Sequence, residues 1–232
     1  MENTCKEKFY SNSGNSELIR FIGGDFRNVL DVGCGAGDNA AQLKRHLPEV
    51  QIHGITLSEA EQKQAQQHME ACYCTDIEEK IPSEILSCKY DIILFSHVLE
   101  HLRSPSLILE KFAEILCPDW SMFVAVPNVL VWSTRLQFLN GQFQYTQTGQ
   151  LDRTHLRFYT YYTVDELVDR APSLRLVRKK AAGHVPLGPM RKLLSEDITN
   201  AVDRCGIRAW PNVFGHQILM EARHASEDKL VK

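Results

Sequence analysis

The sequence predicts an α/β fold in which a mostly parallel β-sheet carries helices on both faces. Three observations predict it. Short apolar runs alternate with longer polar stretches of helical composition, and several of those runs are apolar at consecutive positions, as strands covered on both sides must be. A cluster of glycines also stands between the first run and the first helix. The 232 residues suffice for one domain of this kind.

Residues 28–32, 51–56, 72–75, 90–96 and 122–126 read as the first five strands. Between them, 38–46, 58–69 and 106–116 have helical length and composition. Ser58 followed by Glu61 fits a capping box, and Pro105 after Ser104 marks a helix start. After Pro127 the character changes. Residues 128–150 are rich in Asn, Gln, Tyr and Phe and read as a helix followed by a loop that ends near Gly149, an insertion over one edge of the sheet. Residues 163–171 read as a helix capped by Thr163, with Asp165 and Glu166 in its first turn. Strands at 174–179 and 217–222, with a helix at 190–205 between them, complete seven strands. The tail from Ser226 is charged and expected to fray.

Composition narrows the function classes. Hydrophobic residues make up 44% and charged residues 24%, and the formal net charge is −3. No basic run is long enough to hold a polyanion, so nucleic acid is not expected as a partner. The densest basic stretch, Arg175, Arg178, Lys179 and Lys180, reads as a solvated strand end. No apolar run approaches the ~20 residues that cross a bilayer, and the first residues are polar and charged, unlike a signal peptide. A cytoplasmic protein without a membrane partner is therefore expected. Seven cysteines (Cys5, Cys34, Cys72, Cys74, Cys88, Cys117 and Cys205) follow no C-x-x-C spacing and are expected to be reduced thiols.

The segment from Val29 to Asp38 carries most of the chemistry. A buried strand runs into Gly33, Gly35 and Gly37 and then into a helix. Glycine lets a backbone turn tightly and approach a ligand where a Cβ would collide. Dinucleotide sites use G-x-G-x-x-G to bring pyrophosphate to a helix N-terminus. Here the spacing is G-x-G-x-G and position 38 is Asp, which would repel a pyrophosphate and suits a ligand bearing an amino group or positive charge.

In these residues the chain resembles class I S-adenosylmethionine-dependent methyltransferases, whose first motif is E/D-x-G-x-G-x-G. Asp31, Gly33, Gly35 and Gly37 match it position for position. The resemblance implies a Rossmann-like seven-stranded sheet and S-adenosyl-L-methionine as cofactor, with Cys34 beside it. It extends from about Asn28 to Asn128. Where the family usually ends its second strand in an acidic residue, this chain has Thr56, Leu57 and Ser58, similar to a subgroup in which a later Gln reaches the ribose. Glu61 stands at that position, as a ribose ligand or as the capping-box glutamate alone. Asp76 and Ile77 match the family's adenine-binding pair, and Ser96 and His97 end the fourth strand beside the expected methyl group.

From Pro127 to about Thr160 the chain is similar to a narrower set of bacterial methyltransferases of glycan and natural-product biosynthesis, most distinctively over Leu151 to Thr160. The implied organisation is a single domain over 1–232. It comprises an N-terminal helical cap (1–27), a cofactor-binding half (28–127), an acceptor-side lid (128–160) and C-terminal helices and strands (161–224).

A hydroxyl acceptor must lose a proton, and histidine suits that near neutral pH. His155, His97 and Asp152 are the candidate bases. His97 could instead cap the following turn, and His155 could pin the lid through Asp152. Arg153, Arg157, Tyr145 and Tyr159 are candidate acceptor-binding residues, although lid ion pairs or packing would account for them equally. His97, Glu100 and His101 share the face of one helical turn. Some methyltransferases bind a divalent ion at this location, but no metal is expected here. The expected reaction is methyl transfer to a hydroxyl or amine of a small molecule or sugar, by a monomer or homodimer. A non-catalytic cofactor-binding partner, or a nucleic-acid or protein methyltransferase, is the alternative.

Overall fold

The computed structural model of the chain describes residues 14–225. The expectations for residues 1–13, with Cys5, and for the tail from Ser226 lie outside them. In chain order the elements are α1 (Ser16–Phe21), β1 (Asn28–Val32), α2 (Asp38–His46), β2 (Gln51–Thr56), α3 (Glu59–Ala65), β3 (Ala71–Cys74), α4 (Ser83–Leu86), β4 (Tyr90–Ser96), α5 (Pro105–Ala113), β5 (Leu116–Pro127), α6 (Trp132–Leu139), α7 (Glu166–Asp169), β6 (Leu174–Gly183), α8 (Glu196–Ala209), α9 (Pro211–Phe214) and β7 (Gly215–His224). The seven strands form one sheet in the order β3-β2-β1-β4-β5-β7-β6, in which β7 runs antiparallel to both its neighbours.

Successive side chains of a strand point to opposite faces, and here both faces are apolar. Val29, Ile92, Leu94, Phe123 and Leu219 pack on one side with Leu18 and Phe21 of α1 and Leu43 of α2. Leu30, Ile93, Phe95, Val124 and Met220 pack on the other with Ile108 and Phe112 of α5 and Leu167 of α7. Two-sided burial is the physical reason for the unbroken apolar runs in the sequence.

The bounds of β1, β2, β4 and α2 agree with the sequence reading. α3 ends at Ala65 rather than Met69, because the chain must turn to return Glu70 to the start of β2, where it pairs with Ile52 and with Lys44. α5 stops at Ala113, and β5 begins at Leu116 opposite Tyr90, six residues before the expected start. Pro118, lacking an N–H, falls in the irregular stretch where the register shifts between Tyr90 and Ile92. α8 begins at Glu196 because Ser195 caps it by accepting from the Ile198 N–H; residues before it form a 3₁₀ turn, Gly188–Lys192.

The basic stretch on β6 is more than a solvated strand end. Arg178 pairs with buried Glu221 and lies over the Phe21 ring, and the Lys179 ammonium donates to Asp165 at 2.7 Å, holding the start of α7. Cys34, Cys72, Cys88, Cys117 and Cys205 are free thiols. Cys74 departs from the expectation and is disulfide-bonded, the odd total of seven being no bar to one pair. Among the described residues no helix is long and apolar enough to cross a membrane.

The insertion after β5 is strapped to the sheet by backbone and amide bonds. Asn128 is fully buried; its side-chain amide donates to the carbonyls of Gly215 and Asn212 and accepts from Leu130 N–H. Val129 N–H donates to Tyr159 O, and the Glu100 carbonyl accepts from the N–H groups of both Leu156 and Arg157. These bonds hold residues 148–156 over the carboxyl ends of β1 and β4.

Candidate active site

The sheet order reverses between β1 and β4, and open α/β sheets place their ligand crevice outside the carboxyl ends of such strands. A cavity of about 990 Å³ opens there. Its floor is the turn after β1. The Gly33 and Cys34 N–H groups both donate to the Ile55 carbonyl on β2, which fixes the turn against the sheet. Gly33 and Gly35 have φ of 73° and 54°, in the left-handed region that favours glycine. A Cβ on Gly33 would stand 2.3 Å from the Val98 side chain, whereas one on Gly35, a residue of the cavity wall, would meet nothing within 4 Å.

Behind this turn Asp31 is wholly buried, and neither carboxylate oxygen has a hydrogen-bond partner. Burial, opposed by Asn39 and helped by Asp38, raises its pKa to about 7. A carboxyl buried in such a place becomes a carboxylate only as pH rises toward 7 or as a cation is brought to the turn above it.

Along the wall, the Thr56 hydroxyl donates to the Glu61 carboxylate at 2.7 Å, and Ser58 accepts from the Glu61 N–H. Ser58 therefore caps α3 while the Glu61 carboxylate faces Thr56 beside the cavity. Asp76 turns the chain after β3 by accepting from the Glu78 N–H, and Ile77 packs next to it.

The opposite wall is a group of imidazoles around one buried carboxylate. Glu100 is fully buried, and no partner reaches hydrogen-bond geometry with its oxygens. One oxygen lies 3.4 Å from His97 Nδ1 and 4.0 Å from His155 Nε2. His97 turns the chain with φ of 57°, the one positive value among described non-glycine residues. Its Nε2 contacts the Gln217 side-chain oxygen at 3.1 Å. That amide is oriented by reciprocal bonds with Asn15. Nδ1 of His97 therefore faces the Glu100 carboxylate, and Nε2 faces the Gln217 oxygen with the Asn15 amide nitrogen farther off at 3.5 Å. The cleft walls desolvate the ring and pull its pKa down, yet the Glu100 carboxylate 3.4 Å from Nδ1, with the Gln217 oxygen, outweighs this and the net shift is upward.

His155 is set differently. Its side chain is 6% exposed, and Nδ1 lies 3.2 Å from the Gln150 carbonyl, which can only accept, so Nδ1 carries the proton and Nε2 a lone pair. Desolvation lowers its pKa despite Glu100. His101 stacks edge-on against His155 at 4.8 Å and contacts Thr154. Glu100, His101 and His155 bring ligand atoms within 4.8 Å of one another, so a divalent ion could also be held there.

Of the residues expected from sequence, Gly33, Cys34, Gly35, Thr56, Leu57, Glu61, Asp76, Ile77, Ser96, His97, Asp152 and His155 line this one cavity. Asp31 and Gly37 stand behind its floor, where Gly37 forms the N-cap of α2. Arg153, Arg157, Tyr145 and Tyr159 are not on its wall. The Arg157 guanidinium bonds the Arg103 carbonyl, Tyr159 is buried in the core, and Tyr145 lies on the exposed lid. Among the other wall residues, the sequence reading passed over Asn15 and Gln217 and gave Glu100 no part in acid–base chemistry. Only Glu100 left a signal, its spacing from His97 and His101.

A methyltransferase-domain family model matches residues 9–171. A ubiquinone biosynthesis O-methyltransferase of Bradyrhizobium diazoefficiens is 28% identical over 177 residues, covering 74% of this chain and 66% of that protein; the chain thus spans just under two thirds of that relative's length. Among solved structures, a SAM-dependent methyltransferase from Archaeoglobus fulgidus superposes with a TM-score of 0.61 at 18% identity, over 90% of this chain and 92% of that one. The plantazolicin methyltransferase BpumL, in complex with a triazolic desmethylPZN analog and SAH, has a TM-score of 0.56 at 18% identity, over 91% and 81%. At these identities the structures establish the shared fold.

The buried Asp31 makes a stability prediction. Its raised folded pKa means that the folded state holds the proton more tightly than the unfolded chain, so its contribution is greatest at low pH and is lost as pH rises from about 4 to about 7. In urea titrations, Asp31→Asn is expected to gain on the parent chain by up to on the order of 1 kcal/mol per pH unit across that window. Parallel pH profiles for the two proteins would contradict this.

Proposed function

The chain belongs to the methyltransferase-domain family, and on that premise we propose that it transfers a methyl group from S-adenosyl-L-methionine to a hydroxyl, or an amine, of a small molecule or sugar. The observation that carries this reading is the shared cavity: the open glycine turn and the imidazole–carboxylate group face one space.

The residues fit that cofactor. The bare Gly35 backbone leaves room for its amino-acid end, and the unpartnered Asp31 behind the turn suits a cationic ligand rather than a pyrophosphate. Thr56 and Glu61 offer a hydroxyl and a carboxylate to ribose hydroxyls, and Asp76 with Ile77 offers an acceptor and an apolar face to adenine. The bound cofactor supplies a methyl group on a sulfonium centre, open to in-line displacement.

This chain's own residues then align, desolvate and deprotonate the acceptor. His155 is the base. Its Nδ1–H is held by the Gln150 carbonyl, which leaves the Nε2 lone pair, 4.0 Å from the Glu100 carboxylate, to take the proton, and its depressed pKa keeps it neutral near pH 7. Glu100, buried beside it, stabilises the imidazolium that forms on proton transfer. His97, between two acceptors, holds its own proton longer and serves to position the wall. Lid residues 148–156 exclude water. The O-methyltransferase name of the relatives supports an oxygen acceptor.

Two measurements test the reading. Gly35→Phe is expected to weaken S-adenosylhomocysteine binding at least a hundredfold by calorimetry, roughly 3 kcal/mol; retained affinity would remove the glycine turn from the site. His155→Ala is expected to lower turnover by about 10²–10⁴ while leaving S-adenosylhomocysteine affinity near normal. Because the base must be unprotonated, kcat/KM should rise with pH on a limb centred below the ordinary histidine value of 6.5. A limb centred above 6.5 would assign the base to His97.

A further inference from the structure

The lid carries an unbroken file of aromatic rings from the molecular surface to the proposed base. Phe138 of α6 stacks on Phe143 with centroids 5.4 Å apart and planes at 15°. Phe143 meets Tyr145 and Phe158 edge to face, at 5.5 and 6.1 Å. Phe158 meets His155 at 6.3 Å, and His155 meets His101 at 4.8 Å. The outer rings are not core: Phe143 is 53% exposed, Tyr145 54% and Phe158 36%. Leu156, also mostly exposed, lies on the cavity wall beside His155, the cavity residue that the file reaches through Phe158.

Contiguous exposed apolar surface of this kind marks a binding face. The charge pattern says what it can bind. From Gly141 to Leu151 the lid contains no Lys, Arg, Asp, Glu or His; its polar groups are glutamines, threonines and Tyr145. That stretch offers no cation to a phosphate or carboxylate, Arg157 beside Phe158 spends its guanidinium on the Arg103 carbonyl, and the rings offer edges and faces to another ring.

We infer that the acceptor has an uncharged, planar aromatic body, which lies along the Phe143–Phe158 file with its reacting hydroxyl directed to His155. This rests on the proposed methyl transfer and narrows its acceptor from small molecules and sugars in general to aromatic ones. Tyr145 thereby takes an acceptor-binding role outside the cavity wall, as a side of this file.

The test uses 2-naphthol as probe, titrated calorimetrically into the full chain with and without saturating S-adenosylhomocysteine. Phe143→Ala and Phe158→Ala are each expected to weaken naphthol binding about three- to tenfold. Both should leave S-adenosylhomocysteine affinity unchanged. Tyr162→Ala, an exposed ring off the file, should alter neither. The inference is overturned if naphthol does not bind, or if it binds the parent and both file variants alike. It is also overturned if the variants instead abolish co-sedimentation with phosphatidylcholine vesicles, or convert a dimer to a monomer, since the file would then serve a lipid surface or a second copy. Failure of S-adenosylhomocysteine to bind the parent chain would count against the methyl-transfer reading separately, because the naphthol titration without it still reports on the file.

Discussion

At the carboxyl end of β1 the chain leaves the sheet between β2 and β4, where the strand order reverses, and everything else in the site depends on how it does so. Two successive N–H groups, of Gly33 and Cys34, converge on the single carbonyl of Ile55. That bond pair holds the turn flat against β2 and exposes the Gly35 backbone to the cavity. A side chain at Gly33 would strike Val98, while Gly35 stands on the cavity wall with open space where a Cβ would lie. The crevice is therefore a property of backbone geometry, and side chains from distant segments are recruited to its walls.

The second constraint is electrostatic. Two wholly buried carboxylates, Asp31 and Glu100, lack hydrogen-bond partners among the described residues, one under the glycine turn and one under the imidazoles. Burying charge without full pairing costs stability, and such groups concentrate where function requires a perturbed field. Glu100 does double service, since its backbone carbonyl also tethers Leu156 and Arg157. The residue that tunes the histidines is thus the one that fastens the lid, and the cavity wall and its cover are built as one piece. The differing environments of His97 and His155 follow from their partners: two acceptors around one ring, a single backbone carbonyl on the other.

Much of this was legible before the structure, and the reasons are physical. Strands buried on both faces print as apolar runs, which is why β1, β2 and β4 could be bounded to the residue. The ends of α3 and α5 were less legible, because Met69, Ile115 and Leu116 keep a helical spacing of apolar residues past the point where the helix stops. Thr56 and Asp76 were found through the family resemblance, and residues grouped within one turn, Gly33, Gly35 and Gly37, announce themselves by spacing. Asn15 and Gln217 do not: they are common polar residues 202 positions apart, joined by reciprocal side-chain amide bonds that only the folded chain brings together. Arg157 was misleading for a related reason, since a cation next to a site in sequence can spend its donors on a backbone carbonyl, here that of Arg103.

The measurement that tests the account most directly is a crystal structure of the chain with S-adenosylhomocysteine. The account predicts its amino-acid end over Gly33 and Gly35, its ribose against Thr56 and Glu61, its adenine beside Asp76 and Ile77, and the open side of its sulfur toward His155. Ligand found elsewhere, in the cavity beside Trp120 and Arg178 for example, or a crevice left empty at saturating concentration, would contradict it.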